Sequence, residues 1–253
     1  MYALIVNPIS GNGRARRELP RIEALLRAES VPYRTLLFAC CGTGNDFIKA
    51  VHLPPDPVEA LRVQLHAPLS RIDLGRMNDI YFLNVSGTGF DVEVLRQAEK
   101  YKQSHKGLGV YLRGVRDAIR HFRALKARIG FDGEEPIPQS FTIISIGNGQ
   151  YIGGGMRCVP TAQVNDGLFD VVITRPIPGW AIAILMAIYV PGWYAKTPFV
   201  TRKRCRSVRI LCPGMTVNLD GELIDCDEAA FELLPAVLPV RLPGLPPCGD
   251  SLA

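Results

Sequence analysis

The stretch Arg71-Ile72-Asp73-Leu74-Gly75-Arg76-Met77-Asn78-Asp79-Ile80-Tyr81-Phe82-Leu83-Asn84-Val85 decides the fold. Ile72–Gly75 and Ile80–Val85 are short apolar runs of strand-forming residues on either side of Met77-Asn78-Asp79. Such a pattern predicts a β-hairpin, because Asn and Asp tolerate the left-handed backbone that a tight turn requires. From Arg71 onward the chain therefore turns β-rich, whereas the residues before it carry a different signature.

Toward the N-terminus, Tyr2–Val6 is a continuous apolar run, as in a buried parallel strand. Asn7-Pro8-Ile9-Ser10-Gly11-Asn12-Gly13 breaks it, and Leu19, Ile22, Leu25 and Leu26 then recur at helical spacing up to Ser30. Val31–Phe38 predicts a second strand, so this part opens like a doubly wound α/β domain. The pattern is then interrupted. Ala39-Cys40-Cys41 runs straight into Gly42-Thr43-Gly44-Asn45-Asp46-Phe47 and a helix to about Val51, and a Pro-rich turn at residues 53–57 leads to a helix ending near His66. Two strands and these helices do not make a parallel sheet, which places a gap at Phe38–Cys41.

Toward the C-terminus, a basic helix is expected over Tyr111–Lys126. Strands are expected at Ala127–Phe131, Phe141–Ile146, Gly167–Thr174, Val208–Leu211, Met215–Leu219 and Ala230–Leu234. Between them Trp180–Val190 is apolar throughout, yet a span takes roughly 20 residues; a buried helix is the expectation. The fold class is thus α/β plus β. An incomplete α/β domain over residues 1–70 precedes a β-sandwich with outer helices over 71–239, and residues 240–253 are expected to return to the first domain. There is no internal repeat.

The net charge of +5 and 47% hydrophobic content describe a globular chain with a mild preference for anionic partners. Nothing resembles a nucleic-acid-binding module, so no nucleic-acid partner is expected. The seven cysteines include no CxxC, which points to reduced thiols and a cytoplasmic setting. No basic segment precedes Tyr2–Val6, so no signal peptide is expected.

Several segments could carry chemistry, each with a plainer structural reading. The loop Asn7–Gly13, between a strand and a helix, would aim N–H groups at a phosphate; it could equally be a turn. Gly42–Asp46 has the same form, with Thr43 and Asn45 as polar contacts, although Asn45 and Asp46 could simply cap the next helix. The run Gly147-Asn148-Gly149-Gln150-Tyr151-Ile152-Gly153-Gly154-Gly155-Met156 is too rich in glycine for ordinary packing. Asn165-Asp166-Gly167 reads as a turn or as an oxygen site for a hard cation. Asp220-Gly221-Glu222 reads as a hairpin turn or as a base, Glu222, beside a cleft. Its copy Asp132-Gly133-Glu134 makes that choice undecidable from spacing alone.

In order, NPISGNGRA (7–15), CGTGNDF (41–47), NVSGTGFDVEV (84–94), KGLGVYL (106–112), GNGQYIGGGM (147–156), NDGLFDV (165–171) and DGE (220–222) resemble the diacylglycerol kinase catalytic family, which includes bacterial soluble lipid kinases and sphingosine kinases. The resemblance implies an N-terminal domain like that of NAD kinases, a C-terminal β-sandwich, and ATP in the cleft between them. It places Asn7, Ser10, Gly11, Gly13, Gly42, Thr43, Gly44, Asn45 and Asp46 around the nucleotide. Mg²⁺ would be held by Asp166 with the carbonyls of Gln163 and Leu168, and Asp220 and Glu222 would be the catalytic residues, with Glu222 as the base. The expected reaction moves the γ-phosphoryl group to a lipid hydroxyl, most commonly that of diacylglycerol. A nicotinamide-dinucleotide kinase shares the glycine loops, but this motif order is that of the lipid kinases. Contact with an anionic membrane surface is expected, with Thr201–Arg206 and Arg113–Arg128 as candidate basic elements; a solvated helix face or edge strand would explain both equally well.

The family also carries a Gly-Gly-Asp-Gly-Thr loop between its first two glycine motifs, and this chain has none. The difference corresponds to about two strand–helix units, on the order of 50 residues. The same resemblance therefore allows a lipid-binding relative without a complete ATP site.

Overall fold

The computed structural model describes residues 17–25, 38, 45–99, 116–120 and 122–246. Helix α1 covers residues 17–25, followed by α2 (Asp46–Ala50) and α3 (Pro57–His66). The start of α3 is written in its sequence: Pro57 occupies the first turn, and the Asp56 carboxylate accepts from the N–H groups of Val58 and Glu59 at 3.0 and 2.9 Å.

The predicted hairpin is present as β1 (Leu69–Met77) and β2 (Ile80–Phe82), with Asn78 at φ +50° in the turn. The second run does not continue to Val85 as expected. It bends at Leu83-Asn84, and Val85–Gly89 forms a separate strand, β3, that pairs elsewhere. Helix α4 (Phe90–Glu99) follows, a helix that the glycine-rich run before it concealed. Residues 116–120 form α5. The predicted helix does not reach Lys126, because β4 already begins at Leu125 (Leu125–Phe131).

Strands β5 (Ile137–Phe141), β6 (Ile143–Gly147) and β7 (Phe169–Thr174) come next, then helix α6 (Gly179–Tyr189), a 3₁₀ turn at Trp193–Lys196 and strand β8 (Val200–Cys205). The two strands expected within 208–219 are one, β9 (Ser207–Leu219), and Ala230–Leu234 is the middle of the 20-residue β10 (Glu222–Arg241). Both long strands accommodate proline at irregularities. Gly214 after Pro213 sits at φ +68°, and its N–H bonds the Asp227 carboxylate at 2.7 Å. Beyond Pro235, β10 bulges so that only Asp73 lies between the paired residues Ile72↔Leu238 and Leu74↔Leu234.

The strands form one antiparallel sheet in the order β2-β1-β10-β9-β3-β6-β7-β8, with β4 joining β9 and β5 joining β4. The sheet encloses a core of Met77, Phe82, Ile129, Phe141, Ile144, Phe169, Val171 and Phe231. Alternate residues of β6 and β7, Ile143 and Val172, face a second core under α4, α5 and α6 with Phe90, Ile182, Leu185 and Tyr189. A third cluster gathers Ile48, Val51, Ala60, Ile72, Val164, Val240 and Leu242, so α2 and α3 pack with the end of β10.

The apolar helix α6 is not the buried helix expected. Ile182, Leu185 and Tyr189 face inward, while Trp180 and Ile184 are 71% and 59% exposed. Among the described residues no helix is long and apolar enough to cross a membrane.

Candidate functional site

The glycine- and aspartate-bearing segments converge on Asn84 and Asn148. The Asn84 carbonyl accepts from the N–H groups of Asn148 and Gly149 at 2.9 and 2.7 Å, and its amide donates to the Tyr151 carbonyl at 2.7 Å. Asn148, wholly buried, donates in turn to the carbonyls of Leu83 (2.7 Å) and Asp73 (3.1 Å). Glycine is required at 149, where a Cβ would lie 2.0 Å from Asn84 Oδ1. The bend that splits β2 from β3 and the loop 147–156 thus brace each other through backbone groups.

Asp220 locks the same bend. It occupies the β9–β10 turn at φ +50°, followed by Gly221 at +104°. Its carboxylate accepts from the backbone N–H groups of Leu83 (2.6 Å), Asn84 (3.1 Å) and Val85 (2.9 Å). Three N–H donors favour the ionised form, but burial of the carboxylate outweighs them and moves its pKa upward. Asp132 does the same in the duplicate tripeptide: also at φ +50°, it accepts from the N–H groups of Arg206 and Ser207 at 2.7 and 3.0 Å. In both copies the aspartate is a clamp on a neighbouring segment. The copies differ in what they clamp, and only Asp220 holds the glycine cluster. Glu222 follows at the exposed start of β10, and its side chain forms no hydrogen bond or ion pair among the described residues.

Asp73, read from sequence only as part of a strand, is a second organiser. It is 1% exposed, and its carboxylate accepts from Gly167 N–H at 2.8 Å and from Ala236 N–H at 2.7 Å in the β10 bulge. That brings the Asn165–Asp170 turn onto β1. Asp166 bonds Leu168 N–H at 3.1 Å and pairs with Arg204, which also reaches Asp170 at 3.3 Å. Burial raises the Asp166 pKa; the Leu168 N–H and Arg204 oppose this, and Asp170 and Asp73 add to it. Asp166 and Asp170 thus share one guanidinium. A hard divalent cation takes oxygen ligands, and the Asp166 carboxylate with backbone carbonyls of its own turn is the donor type that could hold one. Among the described residues no cluster of three or more His, Cys, Asp or Glu side chains could hold a metal, so such a cation would depend on those carbonyls. Beside this turn opens a groove of about 770 Å³ lined by Gln150, Thr161, Gln163, Asp170, Arg202 and Arg204.

The second glycine motif reaches the same region. Asp46 accepts from Gly154 N–H at 2.8 Å, and Lys49 donates to the Gly154 carbonyl at 2.7 Å, so α2 is latched onto the 153–155 loop. Asn45 holds the N-cap position in the left-handed region, and its side chain does not cap α2. The structure therefore brings together Asn45, Asp46, Gln163, Asp166, Leu168, Asp220 and the base of Glu222 on connected loops. Asn7, Ser10, Gly11, Gly13, Gly42, Thr43 and Gly44 lie outside the described residues. Sequence reasoning missed Asp73, Asn84, Asn148, Lys49 and Arg204 as site-builders. For Asp73 the available signal was a charged residue inside an otherwise apolar strand.

A sheet of this topology carrying outer helices, with a glycine-rich loop tied to α2, defines an NAD-kinase-like β-sandwich protein. Residues 84–242 match the model of the YegS C-terminal NAD kinase beta sandwich-like domain. A diacylglycerol kinase of Mycobacterium tuberculosis is 30% identical over 208 residues, covering 80% of this chain and 67% of that protein. A "Probable lipid kinase YegS-like" of Pseudomonas aeruginosa is 31% identical over 248 residues, covering 96% and 77%. A crystal structure of a Bacillus anthracis diacylglycerol kinase superposes with a TM-score of 0.60 at 18% identity, covering 83% of this chain and 67% of that one. The chain belongs to the diacylglycerol kinase family of YegS-like proteins.

Proposed function

We propose that this chain is an ATP- and Mg²⁺-dependent lipid kinase that phosphorylates the hydroxyl of diacylglycerol. The observation that supports it most is the tie of Asp220, two residues before Glu222, to Leu83, Asn84 and Val85; the exposed Glu222 side chain forms no hydrogen bond or ion pair among the described residues. In this reading Glu222 accepts the proton of the lipid hydroxyl as its oxygen forms the new bond to phosphorus. The bond from the γ-phosphorus to the β–γ bridging oxygen breaks, and ADP leaves. Asp166, with the carbonyls of Gln163 and Leu168, would hold Mg²⁺, which neutralises phosphate charge when bound. Asp220 would act beside Glu222, and its carboxylate, like that of Asp73, also holds backbone N–H groups of the neighbouring loops.

We further propose that residues 1–70, including Asn45 and Asp46, form the nucleotide-side domain, that 71–239 form the lipid-side domain, and that 240–253 return to the former. The clustering of Val240 and Leu242 with α2 and α3 supports that return. The setting is cytoplasmic with peripheral membrane contact. Incubation with ATP·Mg²⁺ and diacylglycerol should yield phosphatidic acid, and a chain that yields none at any lipid presentation refutes the reading.

The missing Gly-Gly-Asp-Gly-Thr loop favours one alternative, a lipid-binding relative that does not use ATP. Calorimetry with ATP·Mg²⁺ separates the two. Binding in the micromolar-to-millimolar range of enzyme substrates removes the alternative, and its absence removes the kinase.

A further inference from the structure

We propose that the outer face of α6, with the 3₁₀ turn and Phe199 beyond it, is a docking surface that inserts into the headgroup layer of an anionic phospholipid bilayer. This deepens the lipid-kinase reading, on which it rests, by naming the surface that meets the lipid.

The face is apolar and exposed. Trp180, Ile184, Val190, Trp193 and Phe199 are 71%, 59%, 50%, 66% and 53% exposed, within a span of only 20 residues. Isolated apolar residues on a surface are ordinary, but five large exposed ones, two of them tryptophans, within 20 residues of chain are not. Gly179–Tyr189 contains no charged side chain and is 11 residues long, about 16 Å, too short to cross a bilayer. It can lie in the plane of the interface with Trp180 near one end and Trp193 past the other, where indole rings are favoured.

Charge identifies the occupant. Between Asp170 and Asp220 the chain has no Asp or Glu and seven Lys or Arg residues. Arg175 is exposed, and its N–H bonds the Phe199 carbonyl at 2.9 Å. Lys196 is exposed in the turn that begins at Trp193, and Arg202 lines the groove beside Asp170. The three cations form no ion pair among the described residues. An apolar face rimmed by unopposed cations suits anionic headgroups over acyl chains, and repels a second copy carrying the same charges. The surface also adjoins the candidate site: a Cβ at Gly192 would lie 2.9 Å from the Arg157 carbonyl and from Pro160, next to the Thr161–Gln163 wall of the groove.

The two tryptophans of the chain, Trp180 and Trp193, are both on this face, so tryptophan fluorescence excited at a wavelength that spares tyrosine reports on it. Titrating the full chain with phosphatidylglycerol vesicles should shift its emission to the blue, and brominated acyl chains should quench it; phosphatidylcholine vesicles should do much less. The double variant Trp180→Gln/Ile184→Gln should keep its circular dichroism and its phosphorylation of a dispersed short-chain diacylglycerol, while vesicle sedimentation weakens roughly tenfold or more. Emission that stays unmoved while the protein sediments with vesicles overturns the proposal, as does a double variant that sediments like the wild type. A concentration-dependent blue shift without lipid would assign the face to a second copy instead. Loss of short-chain phosphorylation in the wild type would count against the kinase reading alone.

Discussion

Replacing Asp91 with asparagine should stabilise the protein in alkali and do little in acid. Asp91 is the second residue of α4, and neither of its buried carboxylate oxygens finds a hydrogen-bond partner. Burial raises its pKa from 3.8 to about 6, and the nearby backbone N–H groups of Val92 and Asp91 offset only part of that rise. At about 1.4 kcal/mol for each tenfold change in proton affinity, the ionised form is about 3 kcal/mol worse in the native state than in the unfolded chain. The sign follows from the direction. A raised carboxylate leaves stability intact below its ordinary pKa, near 4, and removes it as pH climbs from there through about 6, with the loss constant above that. Asparagine keeps the shape and does not titrate. Urea unfolding followed by circular dichroism should therefore give Asp91→Asn and wild type within about 1 kcal/mol at pH 4.5, with the variant ahead by about 2–3 kcal/mol at pH 8. Parallel pH profiles, or a variant less stable at pH 8, would show that the carboxylate has a partner and that the reasoning fails.

Asp220→Ala should cost about 2–4 kcal/mol because it strips the acceptor from three backbone N–H groups at a partly buried bend. Asp132→Ala serves two N–H groups at an exposed turn and should cost about half as much; equal melting-temperature losses would contradict the distinction between the tripeptides. Gly149→Ala should destabilise by more than about 3 kcal/mol in denaturant titrations, since its Cβ would overlap Asn84 Oδ1; a neutral effect would mean that the loop 147–156 is free to move. Asp166→Asn should abolish any Mg²⁺-dependent rise in melting temperature without lowering the metal-free value by more than about 1 kcal/mol, as its Arg204 partner is half exposed. An unchanged Mg²⁺ response would place the cation elsewhere.

Turn chemistry was the most legible feature of the sequence. Asn78-Asp79, Asp132-Gly133 and Asp220-Gly221 all form the turns that their residue types demand. The Asp56-Pro57 start of α3 was equally plain. Strand extent was not legible, because Pro138, Pro213 and Pro235 interrupt the strand-forming pattern; in the sheet they sit at an edge strand or at bulges, where a missing N–H costs little. Asp73 was invisible as an organiser because its partners, Gly167 and Ala236, are 94 and 163 residues away. The exposure of α6 was hidden for the opposite reason. Composition reports that a helix is apolar, and only the packing shows that one face is left uncovered. The choice between the two Asp-Gly-Glu tripeptides came from family resemblance, and geometry adds its physical content in what each aspartate clamps.

The central claim is that Glu222 is the base of a phosphoryl transfer to a lipid hydroxyl, and the most direct measurement follows the label from γ-³²P-ATP into lipid. With Mg²⁺ and diacylglycerol vesicles, the wild type should form labelled phosphatidic acid. Glu222→Gln, with the same melting temperature, should lose roughly 10²-fold or more of that rate, on the order expected for a general base. Wild type and Glu222→Gln incorporating label at the same rate would contradict the account.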